Sequence, residues 1–288
     1  SLISKNTQFY TEMIVANAII KGKRDKLLLF KSISNPVALQ LGGSNPKDLS
    51  EACRIAEDYG YSEINLNLGC PSKKVQKNKF GACLMQEPDL VAKCIEAMSK
   101  ATDLPITIKT RIGYNEVENF NFLKSFVQTT KDAGSQKFII HARKALLKKL
   151  SPKENLNIPP LKYEFVYKLK DYFKNDEIII NGGIKTSDEI KNHLLKVDGV
   201  MIGRAIYHSP YFLAEIEKKV FNNMNVPTRT QVMENLIPYI QEEISKGTQL
   251  NHIMRHTVGL FHGQNGSKVW KQYLSKNMCI RDADLKKV

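Results

Sequence analysis

Glu63-Ile64-Asn65-Leu66-Asn67-Leu68-Gly69-Cys70-Pro71-Ser72 alternates polar and apolar side chains for six residues and then turns sharply on Gly, Cys and Pro. Alternation with period two marks a strand. The turn places one thiol, with Asn67 three residues before it, where that strand runs out. Outward in both directions, β-rich runs recur at roughly 20 to 40 residue intervals: Gln8 to Ile14, Val37 to Leu41, Ile106 to Ile112, Phe138 to Ala142, Ile178 to Asn181 and Gly199 to Ile202. Helical patterns separate them, among them 46–59, opened by Asn45, and 89–101. Strand, helix, strand, helix in this rhythm demands parallel strands joined by crossovers, as in a doubly wound sheet or a (β/α)8 barrel. No Gly-x-Gly-x-x-Gly follows the first strand, which counts against a dinucleotide-binding half-sheet.

Seven runs are counted where a closed barrel needs eight, and the chain starts at Ser1 without Met, in the middle of what reads as a helix leading into the strand Gln8 to Ile14. The expectation is therefore an α/β chain with a TIM-barrel domain over 1–225 whose first strand lies upstream. An open seven-stranded sheet is the alternative. After Val226-Pro227-Thr228 the pattern is helical, with Thr230 to Ser245, His252 to Phe261 and Ser267 to Lys276 forming a small helical domain over 226–288.

The chain has 288 residues, 42% hydrophobic and 8% aromatic, enough for a substantial core. It shows neither a secretory signal nor an apolar run long enough to span a bilayer, so no membrane association is expected. Five cysteines (Cys53, Cys70, Cys83, Cys94, Cys279) form no Cys-x-x-Cys pair and leave one odd, which suggests free thiols in the reducing cytoplasm. The formal net charge of +14 points to a polyanionic partner, RNA before others, unless the lysines serve only solubility. His252 and His256 have the spacing of a zinc pair, but the Glu of His-Glu-x-x-His is absent and no third ligand is evident, so no metal is expected.

Residues at the C-terminal ends of barrel strands converge on one mouth. Here those ends carry Gln40, Asn67 with Cys70, Lys109 with Arg111, His141 with Arg143, Asn181-Gly182-Gly183 and Gly203-Arg204. An amide, a thiol, cations, an imidazole and two glycine turns would line a cofactor-sized pocket. Turns after the last two strands are where barrels bind phosphate, because glycines let backbone N–H groups approach an anion. Lys109 and Arg111 share one face of their strand. A lysine aimed into a barrel is costly unless it meets an anion, so Lys109 could face a phosphate or a reduced flavin, or else be solvated at the mouth. Cys70 taken alone is equally a small buried filler.

These residues resemble the blocks of the tRNA-dihydrouridine synthase family, in the family's order and over nearly the whole chain. The blocks are Tyr10-Thr11-Glu12-Met13, Pro36 to Gly43, Glu63 to Ser72, Phe80 to Met85, Lys109 to Gly113, His141 to Ala145 and Asn181 to Ile184. Leu150 to Asn155 and Arg255-His256 with Gly259-Leu260-Phe261 are most similar to the bacterial A subfamily. The resemblance implies FMN-dependent, NADPH-driven reduction of the C5–C6 double bond of uridine in the tRNA D-loop, at positions 20 and 20a. It implies that Gln40, Lys109, His141, Asn181, Gly182, Gly183, Gly203 and Arg204 hold FMN, that Cys70 is the proton donor, and that Asn67 contacts the RNA. An ordinary thiol, with a pKa of about 8.5, keeps its proton at pH 7 and suits that role.

The target base must leave its stack, which requires a grip on the RNA around it. The basic segment from Arg143 through Lys148 and Lys149 to Lys153 is one expected grip, and Lys268 and Lys271 near Trp270 are the other. Lys153, Lys268 and Lys271 match tRNA-contacting positions. Two departures are Leu156, where the family has a basic residue, and lysine rather than arginine at 268 and 271, which keeps charge but loses bidentate geometry. The expected partner is tRNA alone, with the protein a monomer. The competing readings are a flavin barrel acting on a small pyrimidine, which the +14 charge disfavours, and a tRNA-binding module without catalysis.

Overall fold

The computed structural model describes residues 1–31, 34–147 and 150–278; Lys148, Lys149 and Cys279 lie outside them. Two compact units emerge, one made of 8–184 with 189–201, the other of 1–7, 185–188 and 202–288.

The larger unit is a curled parallel sheet. Its strands are β1 (Phe9–Tyr10), β2 (Ile14–Val15), β3 (Val37–Gly42), β4 (Glu63–Asn67), β5 (Ile106–Arg111), β6 (Lys137–His141), β7 (Glu177–Asn181) and β8 (Gly199–Met201). They pair in the order β1-β3-β4-β5-β6-β7-β8, with β2 also on β3 and every ladder parallel. This is the β/α rhythm of a TIM barrel lacking its first strand, with further helices following. The central strands are buried on both faces, so Lys137-Phe-Ile-Ile-His141 and Glu177-Ile-Ile-Ile-Asn181 carry unbroken apolar centres. Helices α1 (Pro46–Glu57), α2 (Pro88–Ser99), α3 (Phe120–Asp132) and α4 (Tyr163–Tyr172) supply crossovers. Asn45 caps α1 by accepting from the N–H groups of Lys47 (2.9 Å) and Asp48 (3.3 Å), with Pro46 in the first turn.

Three expectations change. The run Gln8 to Ile14 is two short strands, because five residues from Tyr10 to Ile14 oppose four from Ala38 to Leu41. That is a one-residue bulge, and the Thr11 hydroxyl accepts the Gln40 N–H at 3.0 Å in place of a ladder carbonyl. The start of the chain is not helical. Instead Ser4 Oγ (2.6 Å), Asn6 Nδ2 (2.9 Å) and the N–H of Asn6 (3.1 Å) donate to the buried carboxylate of Glu217 within the smaller unit.

The smaller unit also corrects the helix expected over 252–261, which is confined to Leu250–Met254. A Cβ at Gly259 would stand 2.2 Å from the His208 carbonyl oxygen, an approach that a continuing helix with side chains could not make. The flanking helices α5 (Arg229–Ser245) and α6 (Ser267–Asn277) form as expected, α5 opening on a Thr228–Gln231 capping box. Ile240, Leu250, Ile253, Met254 and Leu274 make their core, against which Trp270 packs.

Candidate active site

Cys70 follows β4 by three residues, and its turn is gripped from several sides. Asn67 Oδ1 accepts the N–H groups of Gly69 (3.1 Å) and Cys70 (2.9 Å). Arg111 Nε donates to the Gly69 carbonyl (2.8 Å), and the Cys70 carbonyl accepts from the Ala82 N–H (2.9 Å). Gly81 makes that last contact possible: its φ is +75°, and a Cβ there would lie 2.7 Å from the Cys70 oxygen. The four described cysteines are free thiols. Burial pushes Cys53 and Cys94 up to about 12, whereas Cys70 is only partly buried. The position of Cys70 thus separates it from packing thiols.

Lys109 and Arg111 share the concave face of β5, as the alternation predicts. Lys109 Nζ donates to Asn181 Oδ1 at 3.0 Å, and Asn181 Nδ2 donates to the Met201 carbonyl at 2.8 Å. No carboxylate of the described residues pairs with Lys109. Burial of the ammonium, reinforced by the Arg111 charge and opposed by the Cys70 sulfur, lowers Lys109 to about 8. A desolvated cation beside a second cation, with one neutral oxygen for company, suits an anionic or carbonyl-rich ligand. FMN meets that description.

The turn after β7 has the same character. Gly182 and Gly183 lie at φ +122° and +75°. A Cβ on Gly182 would stand 3.2 Å from His141 Cε1, and one on Gly183 would stand 2.6 Å from Leu161 Cδ1. Tyr163 Oη donates to the Gly182 carbonyl at 2.7 Å, leaving bare backbone on the turn. In register, Arg111 faces His141 and His141 faces Asn181, so Lys109, His141, Asn181 and the glycine turn adjoin. Gln40 joins them from β3, its Oε1 accepting from Asn67 Nδ2 at 2.8 Å. A cleft of about 450 Å³ opens in the same unit between Met13, Gly43, Asn45, Lys74, Asn78 and Phe80.

Other expected residues are placed differently. Gly203 and Arg204 are exposed in the smaller unit, at the start of the short helix Arg204–His208. Arg143 folds its guanidinium onto the carbonyls of Asn157 and Pro159. Lys144 and Lys162 both pair with Glu118, at 3.2 and 3.3 Å. Lys153, Lys268 and Lys271 are exposed, the last two one helical turn apart on α6. Trp270 instead packs against Phe261, and its indole N–H donates to the Thr257 carbonyl.

The organising roles of two residues escape a sequence reading. Arg111 also donates from Nη1 to the carbonyls of Lys144 and Asn155, each at 3.1 Å, joining the Cys70 turn to the following loops. Asn155 is fully buried; its amide donates to the carbonyls of Leu146, Leu150 and Ser151 and accepts the Leu146 N–H. The sequence marked Asn155 only as the last residue of the block Leu150 to Asn155, with nothing to show that its side chain organises the loop.

Residues 2–286 match the family model described as dihydrouridine synthase. The tRNA-dihydrouridine(20/20a) synthase of Haemophilus ducreyi is 50% identical over 286 residues, 99% of this chain and 88% of that protein. The proteins of the same name from Vibrio cholerae and Synechocystis sp. are 49% and 48% identical, over 96% and 98% of this chain and 85% and 84% of theirs.

Proposed function

The chain belongs to the dihydrouridine synthase family, and on that premise we propose how its residues divide the work. The reaction is the FMN-dependent reduction of a tRNA D-loop uridine to 5,6-dihydrouridine, with NADPH as reductant. The names of the relatives direct it to positions 20 and 20a. Bound and reduced, FMN supplies the hydride for C6 of the base.

The observation that carries the assignment is the Lys109 ammonium, buried beside Arg111 with Asn181 as its neutral acceptor. It stands ready to compensate negative charge on the flavin, with Gln40 and His141 beside it. Asn181, Gly182 and Gly183 offer the exposed backbone that an oxygen-rich group needs, and Gly203 and Arg204 are assigned to the phosphate. Cys70 Sγ gives its proton to C5 of the uridine, and the grip on its turn fixes where that proton is released. Asn67, Arg143, Lys153, Lys268 and Lys271 are assigned to the RNA.

Replacing Cys70 with Ala tests the acid. FMN content and tRNA affinity should persist while dihydrouridine formation falls by about 10²- to 10⁴-fold. Wild-type turnover in Cys70→Ala would refute the assignment.

A further inference from the structure

Resting on the reading of Cys70 as the acid, we propose that Glu63, at the far end of β4, is a positioning residue for the Cys70 turn and acts through a one-way chain of side-chain hydrogen bonds. The chain starts from two obligate donors, the backbone N–H groups of Gly69 and Cys70, which both point at Asn67 Oδ1. Asn67 must therefore turn its nitrogen the other way, and Nδ2 donates to Gln40 Oε1 at 2.8 Å. Gln40 Nε2 donates to Asn65 Oδ1, Asn65 Nδ2 to Thr107 Oγ1, and Thr107 Oγ1 to Glu63 Oε1, each at 2.9 Å. Each link uses the donor left over from the link before it.

The other end is fixed independently. Glu63 also accepts from Gln8 Nε2 (2.9 Å), Tyr10 Oη (2.7 Å) and Lys137 Nζ (2.8 Å). Burial alone would raise its carboxyl, but the hydrogen bonds from Lys137, Gln8 and Tyr10 outweigh burial and keep it ionised. An ionised carboxylate is an acceptor only. With donors alone at one end and acceptors alone at the other, three carboxamides have a single permitted orientation. Turning any one would set two N–H groups or two oxygens face to face.

Asn65, Thr107, Glu63, Gln40 and Asn67 are 0%, 1%, 3%, 8% and 8% exposed, so a broken link leaves a buried polar group without a partner. The carbonyl side of the Cys70 turn is held by Arg111 and Ala82. Among the described residues its N–H side is held by Asn67 alone, and Asn67 is held through the chain.

Thr107 is the link to break. Thr107→Val keeps the shape and removes both the acceptor for Asn65 and the donor to Glu63, while Thr107→Ser keeps both. In the full flavin-loaded protein, amide exchange of a peptide spanning Gly69 and Cys70 should quicken by about tenfold relative to a β7 peptide, which reports global opening. Single-turnover dihydrouridine formation at saturating tRNA should fall by about ten- to a hundredfold. Flavin content and its reduction by NADPH should change far less than turnover, because Lys109, His141 and the Gly182-Gly183 turn lie outside the chain, and Thr107→Ser should restore exchange and turnover together. Thr107→Ala carries the same test if the valine variant does not fold.

A lower unfolding temperature with wild-type exchange and turnover would make Thr107 merely structural and overturn the proposal. Faster exchange with normal turnover would also overturn it, provided that Cys70→Ala is inactive. If Cys70→Ala is fully active, the acid reading fails instead, and the exchange result still decides whether the chain governs the turn.

Discussion

Two lysines on the same sheet meet opposite environments. Lys137 opens β6 and lies 2.8 Å from Glu63 Oε2 and 3.4 Å from Glu177 Oε1. Burial would lower it, yet Glu63 and Glu177 outweigh burial and raise it. Lys109, near the end of β5, meets an amide oxygen and another cation, and is lowered to about 8. The Lys137 charge at the base of the sheet is closed by carboxylates, whereas the Lys109 charge at the mouth meets only a neutral oxygen and is left for a ligand. Paired charge and ligand-facing charge thus occupy opposite ends of the same sheet.

The contrast can be broken most directly by deleting each cation. Lys137→Met leaves Glu63 buried with neutral donors only, and denaturant unfolding should show a loss of about 3–5 kcal/mol. Lys109→Met removes a desolvated charge that lacks a counter-ion, so the flavin-free protein should lose less than about 1 kcal/mol or become more stable. The same variant should retain about tenfold less FMN through gel filtration. Equal destabilisation by the two substitutions would erase the distinction.

The response to pH sharpens it. Lys109 ionises at about 8 in the folded protein and at about 10.4 when unfolded. Between those values the unfolded chain binds more protons, so stability of the flavin-free protein should rise with pH, by up to ~1.4 kcal/mol per unit. Lys137 has the opposite sign. Its contribution is present below about 10.4 and is lost as pH rises through its raised folded value. Unfolding curves of wild type and Lys109→Met, collected across this window, should diverge; parallel curves would place the low-lying proton elsewhere.

The smallest effect belongs to the exposed cations of α6. Lys268→Gln with Lys271→Gln should leave stability within about 0.5 kcal/mol and lower the salt slope of tRNA binding by about one to two. An unchanged slope would move the RNA contact off this helix.

What the sequence made legible was whatever repeats or breaks a pattern. Apolar runs located the strands within a residue or two, and strand-end positions brought Gln40, Asn67, Lys109, His141 and Asn181 together, because alternation and parallel register leave little freedom. The residues that escaped act through partners distant in the chain. Arg111 reads as a second cation at the mouth, and only the fold shows its guanidinium taken up by three carbonyls. Asn65 and Thr107 read as polar residues in strands, and their role appears only when β3, β4 and β5 lie side by side. Lys144 reads as RNA-facing charge until Glu118 is brought against it. The helix over 252–261 failed because a local apolar spacing was overridden by a tertiary approach at Gly259.

The bulge between β1 and β2 also sets how this edge tolerates changes of length. The extra residue between Tyr10 and Ile14 is absorbed by the bulge, so Tyr10 faces Glu63 and Ile14 and Val15 pair with Leu41 and Gly42 as they would in a segment one residue shorter. Deleting one residue there should restore one-to-one pairing and cost the Thr11 contact to the Gln40 N–H, while Tyr10 and Gln8 keep their hydrogen bonds to Glu63. Point substitutions at Glu12, which is exposed, should be mild as well. At this bulge a single residue can be dropped without changing which side chains reach Glu63.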